Sequence, residues 1–121
     1  MSDHERARQP SAVMDEVTIA RALATAVRHV PGVADISAGH LVEVATYGPA
    51  ARVLGVAVQR GPGGWQIAVH VRAVYTATLD LRQLAARLRT TVREALARLG
   101  VEAIEAIDVA IDDLLVEEGT P

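Results

Sequence analysis

From Trp65 to Tyr75 the odd positions read Trp65, Ile67, Val69, Val71, Ala73 and Tyr75, while the even positions read Gln66, Ala68, His70 and Arg72 before Val74. Side chains alternate across a strand, so this period of two describes a strand with one buried face and one open face. It excludes an all-helical chain and demands a second layer over the apolar side. The following segment supplies that cover. Leu81, Leu84, Ala85, Leu88, Val92, Ala95, Leu96 and Leu99 fall on one helical stripe, Asp80 with Gln83 three residues on forms a capping box, and Gly100 ends the helix.

The rest of the chain extends this plan. From Met14 to Val30 the apolar residues Ile19, Leu23, Val27 and Val30 recur at helical steps, with Asp15 and Glu16 in the first turn and Pro31-Gly32 as the stop. Val33–Ser37 and Leu41–Tyr47 are short β-prone runs broken by Ala38-Gly39-His40. Arg52–Arg60 reads as a strand with Leu54, Val56 and Val58 on one parity, and Gly61-Pro62-Gly63-Gly64 turns it back into the Trp65–Tyr75 segment. A last strand is expected over Ala103–Asp112, with Ile107, Val109 and Ile111 on one face and Asp108, Ala110 and Asp112 on the other.

The expected fold is an α+β two-layer sandwich in the order helix–strand–strand–strand–helix–strand, with a mixed sheet and both helices on one face. The strands over 52–60 and 65–75 should pair antiparallel, and those over 65–75 and 103–112 should run parallel. Residues 13–116 form the expected single domain, between a mobile tail over 1–12 and a frayed end over 117–121.

Composition narrows the chemistry. With no cysteine the chain has no disulfide, thiolate metal site or cysteine nucleophile. No Phe, one Trp and two Tyr leave few stacking platforms for bases or sugars. The 121 residues contain no apolar run of the roughly 20 that a membrane span requires. No export signal is read at the start, so the expected location is cytoplasmic. The net charge of −3 is mild, but a basic helix carrying Arg82, Arg87, Arg89, Arg93 and Arg98 is followed by a segment with seven acids and no base.

Catalytic and metal chemistry both need polar groups that converge. His29, His40, His70, Asp108 and Asp112 are the candidates for acid–base or metal chemistry, and His70 shares the outer sheet face with the two aspartates. Such residues on an open sheet face ordinarily form cross-strand charge pairs with neighbours such as Arg72. No nucleophile with a nearby base, metal-binding motif or phosphate loop is present, so neither catalytic nor cofactor-binding residues are assigned, and no cofactor or small-molecule substrate is expected. Gly61-Pro62-Gly63-Gly64 matches the Gly-x-x-Gly clamp of KH domains but lies between strands, as a hairpin turn. The outer sheet face combines Gly55, Ala57, Ala68 and Ala110 with few charges, a flat surface on which another chain can lie closely. Ala57, Ala68, His70, Arg72, Asp108 and Ala110 are its candidate contact residues, and the sheet edges offer a second route by strand addition. The alternative is a small RNA- or DNA-binding module using Arg82, Arg89 and Arg93, which share one flank of the basic helix.

The succession of segments resembles the alkaline shock protein family, also called the envelope stress response family. The residues that carry the likeness are Ile19-Ala20-Arg21-Ala22-Leu23, Val30-Pro31-Gly32-Val33, Ala45-Thr46-Tyr47-Gly48-Pro49, Arg52-Val53-Leu54-Gly55-Val56, Ile67-Ala68-Val69-His70-Val71, the helix Leu84 to Leu99 with Val92-Arg93, and Ile107-Asp108-Val109-Ala110-Ile111-Asp112-Asp113. Together they cover about residues 15–115. The resemblance implies a small cytoplasmic α+β protein without catalytic residues, acting as an adaptor or scaffold in the envelope stress response. It further implies self-association and tethering at the inner membrane face through a membrane-anchored protein partner. It supplies no active-site residues to carry over.

Overall fold

The computed structural model describes residues 15–39, 43–49 and 51–116. The expected tail over 1–12, His40, the start of the β-prone run at Leu41 and the expected frayed end over 117–121 lie outside the described residues. The chain folds as α1 (Glu16–Arg28), β1 (Val33–Ile36), β2 (Ala45–Gly48), β3 (Ala51–Leu54), β4 (Val56–Gly61), β5 (Gly64–Tyr75), α2 (Leu81–Arg98) and β6 (Ile104–Val116). This is the α+β class and the succession of helix, strands, helix and strand that the hydropathy pattern implies.

Both helices begin on an aspartate. The Asp15 carboxylate accepts the Thr18 N–H at 2.8 Å, and the Asp80 carboxylate accepts the Gln83 N–H at 3.1 Å. The Thr18 amide holds the Asp15 carboxyl below its ordinary pKa. Asp15 thus sits before the first turn and His29 caps the far end, so α1 is shorter than the expected span over 14–30.

Strand β5 organises the sheet. It pairs parallel with β6 from Trp65↔Ile104 to Tyr75↔Val116, antiparallel with β4 from Val56↔Val69 to Gly61↔Gly64, and antiparallel with β1 from Val33↔Ala73 to Ile36↔Val71. A strand has two edges, and β6 takes one along its whole length. Hence β1 and β4 share the other, end to end. They meet at His70, whose carbonyl accepts the Ser37 N–H and whose N–H donates to the Gly55 carbonyl, both at 2.9 Å.

Gly55 resolves the expected strand over Arg52–Arg60 into two. Its φ of +85° lies in the left-handed region, and a Cβ there would fall 1.7 Å from Ile36 Cγ2. The turn it makes carries β3 away from β5 into a separate two-stranded sheet with β2, registered from Ala45↔Leu54 to Gly48↔Ala51. Parity changes at the same point: Val53 is buried and Leu54 is 37 % exposed, against a single parity for Leu54, Val56 and Val58.

Strand β6 also departs from its expected end at Asp112. Asp112 is the extra residue of an irregularity between the pairs Val71↔Ile111 and Arg72↔Asp113, so pairing resumes and runs on to Val116. Before it, Ile107, Val109 and Ile111 face the core as the alternation requires.

The core lies between the helices and the odd face of β5. Ile19, Leu23 and Val27 of α1 and Leu88, Val92 and Leu96 of α2 pack with Ile67, Val69 and Val71. Helix α1 lies over the β1 and β4 side and α2 over β6. No helix among the described residues is long and apolar enough to cross a membrane.

Candidate functional site

The open face of the sheet opposite the helices gathers the six residues singled out for contact. Ala57, Ala68 and Asp108 form one row across β4, β5 and β6, and His70 with Ala110 forms the next. Arg72 closes the patch opposite Asp113. The three alanines are half-buried between longer neighbours and keep the surface low. Gly55 does not belong to it: as the junction of β1 and β4 it is buried beneath Ile36.

Polar groups on this face are largely committed to one another. The Arg72 guanidinium grips the Asp35 carboxylate with two hydrogen bonds, Nε–Oδ1 at 2.7 Å and a second from the terminal nitrogen. The Asp35 carboxylate holds the Arg72 pKa above its ordinary value through that hydrogen bonding and its charge. His70 Nδ1 lies 3.0 Å from Asp112 Oδ2, and the same oxygen accepts the Ser37 hydroxyl at 2.8 Å. These are the cross-strand pairs that an open sheet face leads one to expect, with Asp35, Asp112 and Ser37 as the partners. Asp108 stands apart, exposed and without a hydrogen bond or ion pair among the described residues.

The arrangement of Ser37, Asp112 and His70 is not that of a hydrolytic triad. In a hydrolytic triad the imidazole lies between hydroxyl and carboxylate and takes the hydroxyl proton. Here the carboxyl group lies in the middle, and the Ser37 O–H donates to it rather than to the imidazole. The same hydroxyl accepts the Gly39 N–H at 3.1 Å, a local turn contact. Among the described residues no three His, Asp or Glu are grouped to hold a metal ion.

Neither Asp35 nor Ser37 stands out in the sequence. Both sit on one parity of a short run whose pairing is irregular between Val33 and Asp35.

The arginines of α2 divide between its two flanks. Arg87 lines an open groove of ≈ 560 Å³ against Ala26 of α1 and the cap residue His29, and Arg98 also lies beside α1. Arg82, Arg89 and Arg93 emerge from the opposite flank, over β6, by helical geometry. None of the five makes an ion pair among the described residues.

No family model, curated protein or solved structure matches this chain.

Proposed function

We propose that this chain is a non-enzymatic adaptor or scaffold that binds protein partners through the open sheet face. The observation that carries the reading is a low surface around Ala57, Ala68 and Ala110 on which no described helix packs, with its charges mostly paired within the face. Short side chains let a second backbone approach closely. Prepaired charges lower the desolvation cost of covering them relative to free ones. The family resemblance adds the setting: a cytoplasmic protein that self-associates and is held at the inner membrane face by a membrane-anchored partner, in the envelope stress response.

Ala68→Arg and Ala110→Arg place a long cation in the middle of this face without touching the core. Each should abolish self-association in sedimentation, and recovery of the membrane partner after in-cell crosslinking, while leaving the circular dichroism spectrum intact. Unchanged association in both variants removes the face from the reading.

A further inference from the structure

We infer that the outer edge of β6 accepts an extended segment of a partner protein in which aliphatic residues alternate with Lys or Arg, adding a strand to the sheet. This rests on the protein-binding reading and names a second surface with the chemistry of what it takes.

Among the described residues β6 pairs only with β5, and α2 packs on its core side. Its far edge offers backbone N–H and C=O groups as a template for another strand. Between its two irregularities, Ala106–Ile111 runs in register with Gln66–Val71, leaving a regular stretch of ordinary strand length. The apolar layer continues to this edge unfinished. Ile67, Val69 and Val71 of β5 are at most 1 % exposed, whereas their neighbours Ile107, Val109 and Ile111 on β6 are only partly buried. An added strand with aliphatic residues facing α2 would complete their burial.

Charge selects the other parity. Asp108 and Asp113 are exposed on the outer side of β6, and no basic residue occurs from Glu102 to Val116. On the other side of the edge, helical spacing puts Arg82, Arg89 and Arg93 on the flank of α2 away from α1, with no ion pair among the described residues. A basic side chain in the added strand is attracted on the sheet side and repelled on the helix side. A slip of one residue exchanges the two sides, so the charges reinforce what the apolar layer already requires. The same acids disfavour a second copy as the occupant, because pairing β6 with β6 would set carboxylates against carboxylates.

The test uses the purified protein and capped peptides of about eight residues, a length matched to one strand. One alternates valine and lysine, one alternates valine and glutamate, and one has the valine–lysine composition in two blocks. The alternating valine–lysine peptide should bind by calorimetry and slow amide exchange over residues 106–111 without changing it over β4, and the other two should not. Asp108→Asn, which removes an exposed and unpaired charge, should weaken that binding about two- to fivefold, as for one cross-strand charge pair. Asp108→Lys with Asp113→Lys should reverse the order of the lysine and glutamate peptides. Unchanged exchange with all three peptides, equal protection by the block peptide, or an unaltered preference in both variants would overturn the inference. Absent peptide binding while Ala68→Arg still abolishes association removes the edge alone. Peptide binding with association unaffected by Ala68→Arg removes the open face alone.

Discussion

At the β4 edge one buried hydroxyl, that of Thr46, donates to the Val56 carbonyl at 2.7 Å and accepts the Val58 N–H at 2.9 Å. At the β6 edge nothing comparable occurs among the described residues; Leu114 N–H is taken by the adjacent Asp113 carboxylate at 2.9 Å. The first edge is finished by the chain itself, because β2 and β3 form a hairpin that packs on α1 and β4 and carries Thr46 into place. Among the described residues the second carries exposed acids and irregular pairing instead. A strand edge can thus be closed by satisfying its backbone groups or kept selective by charge, and this molecule uses one method on each side.

The comparison can be broken most forcefully at Gly55, which makes the turn that lets the hairpin leave the main sheet. Gly55→Val meets Ile36 and demands a left-handed backbone from a β-branched residue, so it should cost roughly 3 kcal/mol or more in denaturant melts. A loss below about 1 kcal/mol would show that the junction relaxes freely. Thr46→Val keeps the shape but leaves the Val56 carbonyl and Val58 amide of the covered edge without their partner, which should cost about 1–3 kcal/mol and speed exchange of the Val58 amide. Unaltered exchange at Val58 would mean that packing alone seals that edge. The smallest effect belongs to the open side: Val116→Thr, at a residue 74 % exposed, should shift stability by no more than about 0.5 kcal/mol. A larger loss would show that the end of β6 is not free in solution.

The difference between the edges also marks where sequence stops being readable. Trp65–Tyr75 and Leu81–Leu99 announce themselves because each has one buried side and a long enough period to repeat several times, and the open face follows from the strand's other parity. The pairing of His70 with an aspartate of β6 is legible for the same reason. Gly55 is not: Leu54, Val56 and Val58 keep an unbroken alternation, and only the three-dimensional meeting of β1 and β4 reveals that the chain turns there. Thr46 is equally silent, since a threonine in a β-prone run reads as an ordinary strand residue and its hydroxyl acts through a contact that sequence spacing does not encode. Asp112 hides an irregularity because Asp108, Ala110 and Asp112 continue one parity up to the residue where the register shifts.

The placement of β5 between partners of unequal distance along the chain has a consequence in time. The β4–β5 pair closes across a short turn, whereas the parallel β5–β6 pair can form only after the whole of α2 has been traversed. Loop closure costs entropy before distant contacts repay it, so the hairpin is the cheaper nucleus and β6 the later arrival. Were β6 to detach, the second edge of β5 would be bared, moving the receptive border of the sheet from its last strand to the one that organises it.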